Sequence, residues 1–387
     1  MEKNNKTLNV PNLRFPEFSG EWKKYSLNDI STIYGRIGFR GYTVADIVEK
    51  GEGAIALSPT NIDSNCLTYE KDNTYISTYK YEESPEIKIF AGDIIFVKTG
   101  STVGKVAFVD NIIDRTTLNP QLVVLKQVKC NPYFLYLLMA APCFQKHIKR
   151  ITVGGAVPTL SQNEMGRIGI TLPPNAEQDR ISALFKLLNY RIETQRKIIE
   201  KYESLIRGLY HSVFNQPAST LQLKDVVSVV KGQQVNGEEL LEYGKYYVMN
   251  GGTEPSGYLD VCNTLANTIS ISEGGNSCGY VQYNTEPFWS GGHCYSLIQK
   301  EQSVNYQYLY HFLKYKERNI MALRIGSGLP NVQKKDLERF EIRVLPTKQQ
   351  NRVAEILADV SAKCDLEKRI LQGWQCQKSY LLHNLFI

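Results

Sequence analysis

The hexapeptide Gly100-Ser101-Thr102-Val103-Gly104-Lys105 has the composition of a phosphate-cradling loop, with glycines for close backbone approach and a lysine for charge. It is one residue short, however, and ends in Val106 where a Ser or Thr hydroxyl would meet a metal ion. It reads instead as a strand-connecting loop whose amides and lysine face a phosphate, with a purely structural turn as the other reading. Glu86-Ile87-Lys88 could be half of a metal-dependent nuclease site, but no companion aspartate is placed to share a metal. The five histidines (His147, His211, His293, His311 and His383) form no zinc spacing with the eight cysteines. No nucleophile–base pair emerges by spacing. The expectation is a chain that performs no covalent chemistry by itself and holds no metal.

Asn131-Pro132-Tyr133-Phe134 comes near the N-P-P-Y/F loop with which amino-methyltransferases hold a target amine. The second proline is missing, no glycine-rich cofactor strand precedes it, and Asn305-Tyr306-Gln307-Tyr308 stands in its place in the second half. A helix start is the better reading.

The elements that would carry these residues occur twice. Short strands with turn residues between them are expected at 87–90, 93–98, 106–109 and 122–126, and again at 246–249, 268–272, 279–283 and 295–299. A helical patch follows in each half, at 132–149 and 306–324, and then a glycine-containing loop, at 154–158 and 326–330. From Pro158 and Pro330 onward the halves keep a constant offset of 172, with identical pairs such as Pro174/Pro346, Gln178/Gln350 and Phe214/Phe386. Residues 25–30 are likewise echoed by 221–226.

Each half ends in a heptad seam. The first is Ile181, Phe185, Leu188, Ile192, Gln195, Ile199, Tyr202, Ile206, Leu209 and Val213. The second is Val353, Leu357, Val360, Cys364, Glu367, Leu371, Trp374, Lys378, Leu381 and Leu385. A pattern over residues 177–214 corresponds to a helix about 57 Å long, more than a globular domain covers with a groove of its own. The two helices are therefore expected to pack on each other. Only six residues (215–220) join the first helix to the second domain, and so short a connection favours an antiparallel pair with a pseudo-two-fold axis. Gln195 and Glu367 stand near mid-seam, where they could fix register.

The fold class expected is α+β, with two domains of mixed strands and helices separated by an antiparallel coiled coil. The boundaries are an N-terminal arm (1–20), a first domain (21–174), a first spacer helix (175–214), a second domain (215–346) and a second spacer helix (347–387). A chain of 387 residues can bury cores of that size, and its net charge of +6 permits a polyanionic partner without requiring one. No apolar run approaches a membrane span and residues 1–10 are polar, so no membrane partner and no signal peptide are expected. Eight cysteines without a framework spacing suit reduced thiols and a cytoplasmic location.

Several phrases resemble the specificity subunit of type I restriction-modification enzymes. They are Leu13-Arg14-Phe15-Pro16-Glu17-Phe18 with Trp22, Pro173-Pro174-Asn175-Ala176-Glu177-Gln178, its copy Leu345-Pro346-Thr347-Lys348-Gln349-Gln350, and the run from Phe288 to Tyr295 after Gly275-Asn276-Ser277. The resemblance spans nearly the whole chain. It implies two target-recognition domains, each reading one half of a split site in double-stranded DNA, and a spacer of two helices. It also implies two modification subunits with S-adenosylmethionine, and restriction subunits that use ATP and Mg. Those cofactors would sit on the partners and none on this chain. The rival reading is a coiled-coil adaptor whose end domains bind proteins or glycans.

DNA contacts are expected in the loops between strands. In the first domain these residues are Arg36, Arg40, Lys98, Thr99, Ser101, Thr102 and Lys105. In the second they are Lys231, Gln233, Gln234, Asn236, Ser272, Asn276, Ser277, Tyr280 and His293, with Trp289 expected in the core.

Overall fold

The structure is a computed structural model that describes residues 9–69, 73–152, 157–300, 302–326, 328 and 330–387. Residues 154–156 of the loop expected at 154–158, residues 327 and 329 of the loop expected at 326–330, and the start of the arm lie outside the described residues. The chain forms two compact units, Met1–Thr194 with Leu371–Ile387, and Gln195–Ile370.

In the first unit a six-stranded sheet is ordered Thr32–Gly35, Leu122–Lys126, Ile94–Val97, Val106–Phe108, Cys66–Leu67, Ile62–Asp63. The first four strands pair antiparallel. Their fully buried Ile, Val, Leu and Phe side chains face two cores: Phe96 and Val123 point to one with Trp22 and Phe134, and Ile95 and Val124 to the other. That alternation is the period-2 signature of a sheet buried on both faces. The second unit repeats the four-stranded part as Val227–Lys231, Cys294–Gln299, Thr268–Ser272, Val281–Asn284, again antiparallel and in the same spatial order.

The strand expected at 87–90 is not one. Pro85 opens a short 3-10 turn, Pro85–Ile87, and Ile87 and Ile89 then anchor an irregular segment by burial. The helical patch at 132–149 is two helices, Pro132–Ala140 and Pro142–Ile151, because Pro142 lacks the N–H that would continue the first. The patch at 306–324 likewise splits into Tyr306–Tyr315 and Glu317–Met321.

The two long helices are Asn175–Phe214 and Thr347–Asn384. Every seam position named above is buried or partly buried. In the first unit Phe185 packs on Phe386, which also meets Phe134, while the backbone of Leu13 donates to the carbonyl of Asn384. In the second unit Gln195 meets Glu367, and Phe214 shares a core with Leu357, so these helix segments run antiparallel. The Gln195 amide donates to the Glu367 backbone carbonyl at 3.1 Å and also to its carboxylate.

The helix starts are fastened alike in both units. Asn131 caps Pro132–Ala140 by accepting from the Phe134 N–H at 3.0 Å, and Asn305 caps Tyr306–Tyr315 by accepting from the Tyr308 N–H at 3.0 Å. Gln178 accepts from the Asn131 N–H (3.0 Å) and donates to the Pro173 carbonyl (2.8 Å). Gln350 does the same with Asn305 (2.8 Å) and Leu345 (2.7 Å). Asn131 is thus occupied as a cap, in agreement with the helix-start reading. The arm is held by Arg14, whose guanidinium makes a two-pronged pair with the fully buried carboxylate of Glu177 at 2.8 and 2.7 Å.

Candidate nucleic-acid interface

The loop at 98–105 and the loop at 272–280 are the same hairpin in two units. In the first, the Val103 N–H donates to Gly100, Gly104 to Val97, Lys105 to Thr102 and Val97 to Lys105. In the second, Cys278 donates to Gly275, Gly279 to Ser272, Tyr280 to Ser277 and Ser272 to Tyr280. Both hairpins turn on glycines in the left-handed region: Gly100 (φ 106°) and Gly104 (φ 99°), Gly275 (φ 82°) and Gly279 (φ 90°). Each also leans on the proline that closes the glycine-containing loop, the Gly100 N–H donating to the Pro158 carbonyl and the Gly275 N–H to the Pro330 carbonyl. The phosphate-loop composition of 100–105 is thus a hairpin turn.

The equivalence pairs Lys98 with Glu273, Ser101 with Asn276, Thr102 with Ser277 and Lys105 with Tyr280. Ser101 and Asn276 are exposed at the hairpin tips, and Thr99, Thr102 and Ser277 are half-buried beside them. Lys98 is half-buried, its ammonium has no hydrogen-bond or ion-pair partner among the described residues, and burial pushes its pKa down. The Lys105 ammonium donates to the Ile62 carbonyl at 3.2 Å. Tyr280 lies under the Lys314 ammonium, 4.0 Å from its ring centroid, and burial pushes its hydroxyl up.

Two expected contact residues are interior. Arg36 is 5% exposed, and its guanidinium donates to the Leu118 carbonyl (2.9 Å) and the Thr117 hydroxyl (3.1 Å). It turns inward where its strand ends at Gly35 and binds strand Thr116–Leu118, so it clamps sheets together. Ser272 is 5% exposed and donates to the Gly251 and Gly274 carbonyls, because it falls on the covered face of its strand. Arg40 is half-buried and 3.6 Å from Glu86, while Lys88 pairs with Glu82, so Glu86 and Lys88 of the E-x-K fragment face different partners.

In the second unit Lys231, Gln233, Gln234, Asn236 and His293 are exposed. Gly291 and Gly292 let two loops close on one another: a Cβ at Gly292 would meet the Gln234 Oε1 at 2.2 Å, and one at Gly291 would meet the Asn250 Oδ1 at 2.7 Å. Asn250 Oδ1 accepts from the His293 N–H at 3.1 Å. Trp289, expected in the core, is half-buried and donates from its indole nitrogen to the Gln233 carbonyl at 3.0 Å; Phe288 beside it fills the core instead. Asn236 donates to Glu239 at 2.9 Å. Lys231, Glu273, Tyr295 and His293 converge, with Lys231 Nζ 2.6 Å from Glu273 Oε1 and His293 Nδ1 3.7 Å from Glu273 Oε2. Glu273, Asn250 and Tyr295 were not singled out by sequence.

Among the described residues no group of three or more His, Cys, Asp or Glu side chains is arranged to hold a metal ion. No helix among them is long and apolar enough to cross a membrane.

The geometry defines a duplicated α+β protein whose two sheets present the same hairpin with different polar side chains. The family model for the type I restriction modification DNA specificity domain matches residues 19–203 and 216–373, and the chain belongs to this family. It is 34% identical over 158 residues to a Mycoplasma genitalium protein provisionally named a type I specificity subunit, a match covering 40% of this chain and 41% of that one. It is 24% identical over 200 residues to the HindI specificity subunit of Haemophilus influenzae, covering 50% of this chain and 41% of the relative. These matches thus span less than half the length of either relative. The fold is similar to the crystal structure of a type I restriction-modification S subunit from M. genitalium, with a TM-score of 0.71 at 18% identity, over 98% of this chain and 99% of the other.

Proposed function

We propose that this chain is the non-catalytic DNA-reading subunit of a type I restriction-modification complex. Each domain reads one half of a bipartite site in double-stranded DNA. The observation that carries this reading is the duplicated hairpin: one backbone scaffold appears in both units, and Lys98, Ser101 and Lys105 in the first are replaced by Glu273, Asn276 and Tyr280 in the second. Two scaffolds of one shape with unlike side chains suit two unlike half-sites, so the site is asymmetric. Family membership supports the same reading and leaves the adaptor alternative without support.

In this reading the paired long helices set the gap between half-sites, about one turn of B-DNA or roughly 34 Å. Two modification subunits carrying S-adenosylmethionine methylate adenine, and restriction subunits supply ATP- and Mg-dependent translocation and cleavage; this chain binds none of these cofactors. Its place is the cytoplasm, with the DNA.

The test is binding of the full chain, with its modification partner, to duplexes bearing two separated half-sites across a salt series. Affinity should fall steeply as salt rises, because each neutralised phosphate releases counterions. Binding indifferent to both salt and sequence would overturn the reading.

A further inference from the structure

The duplicated hairpin puts opposite charges at one position. Lys98 in the first unit projects an unshared ammonium, whereas Glu273 in the second is a carboxylate with a side chain only 11% exposed. Its backbone is tied on both sides: the Glu273 N–H donates to the His293 carbonyl, and the Val332 N–H donates to the Glu273 carbonyl, each at 2.8 Å. Its Oε1 accepts from the Lys231 ammonium at 2.6 Å and the Tyr295 hydroxyl at 3.0 Å. Its Oε2 is sealed from solvent and has no hydrogen-bond partner among the described residues, with His293 Nδ1 3.7 Å away.

We propose that Glu273 is the positioning residue that sets what the second unit reads: it pins the Lys231 ammonium, beside the exposed His293, as a donor for the acceptor-rich major-groove edge of guanine. This deepens the DNA reading above and rests on it.

The acid lies inside and the two nitrogens outside, with Lys231 and His293 side chains 53% and 61% exposed. Leaving a buried carboxylate oxygen without a partner costs stability. Charge separates the base reading from a phosphate reading. Lys231 and Glu273 cancel, so the cluster carries no surplus positive charge with which to displace counterions from phosphate. What it offers is direction, because the three donors of a lysine pinned to a fixed acid are aimed at adjacent acceptors such as guanine O6 and N7. Lys98, with no acid paired to it among the described residues, keeps its charge for a phosphate.

The experiment is selection from a pool of randomised duplexes by the full chain, wild type and variants, followed by sequencing. Wild type is expected to recover two half-sites, one containing a guanine that Glu273→Gln depletes about tenfold or more, the scale of one lost bidentate base contact. Lys231→Ala should lose the same guanine, and Tyr295→Phe should weaken it less. The other half-site, read by the same molecule, should persist in all three and so reports folding. An unchanged second half-site in Glu273→Gln overturns the proposal. So does a Lys231→Ala chain that binds all duplexes equally more weakly, since that is the mark of a phosphate contact. A wild-type chain that recovers no motif overturns the DNA reading itself.

Discussion

Replacing Gln178 by Leu tests whether the two halves are fastened by the same device. Gln178 is 2% exposed, so leucine of similar size leaves little cavity and the cost is almost wholly polar. The substitution strands the Asn131 N–H and the Pro173 carbonyl, bonded at 3.0 and 2.8 Å in the native chain. Buried groups left unsatisfied cost about 1–3 kcal/mol each, which gives about 2–6 kcal/mol here. At roughly 2–4 °C per kcal/mol for a unit of this size, the local melting temperature should fall by about 4 °C or more. Hydrogen exchange locates the effect: the amides of Phe134 and Leu135, at the capped start of Pro132–Ala140, should lose protection. Gln350→Leu should act alike at Tyr308 and Leu309 in the second unit, leaving the first unchanged. Variants that both stay within about 0.5 kcal/mol of wild type, the range of an inert surface change, would refute the clamp.

Three further outcomes follow from other parts of the molecule. Arg14→Ala leaves the buried Glu177 carboxylate without its guanidinium and should cost about 3 kcal/mol, read as faster proteolysis of the arm and a lower melting temperature. His311 is buried beside the Tyr210 hydroxyl, 3.0 Å from its Nδ1, and burial pushes its pKa down to about 4. Between that value and the ordinary histidine range the unfolded chain binds the proton more readily, so stability is full above about pH 6.5 and is lost as pH falls. Urea titrations at pH 7.5 and pH 5 should differ by about 2 kcal/mol more in wild type than in His311→Gln; an equal difference would remove His311 as the cause. Inserting seven residues into both long helices adds about 10 Å to each. The preferred gap between half-sites should lengthen by about three base pairs, and an unchanged gap would sink the idea that the helices act as a ruler.

Much of the scaffold was legible because it is periodic. A 3.5-residue seam and a fixed offset of 172 survive in the sequence wherever no loop changes length, and both long helices follow from them. The hairpin equivalence escaped the same scan because its offset is 175, shifted by loops of unequal length, although Gly-x-x-x-Gly stands in both copies. Side-chain direction was the other hidden quantity. Arg36 looks like any loop arginine until the end of strand Thr32–Gly35 turns it onto Leu118, and Ser272 differs from an exposed serine only in which face of its strand it occupies. Glu273 was passed over because an acid is not the expected residue on a surface for DNA; only the convergence of Lys231, Tyr295 and His293 gives it a role.

One chain with two unlike reading domains should select one asymmetric, split DNA site. Mapping methylated adenines across a host genome that expresses the modification partner, with and without this chain, decides the matter. Methylation is expected, only when the chain is present, at a single motif of two different defined halves separated by a fixed gap. Methylation that is independent of the chain, or that falls on a continuous or symmetric motif, would contradict it.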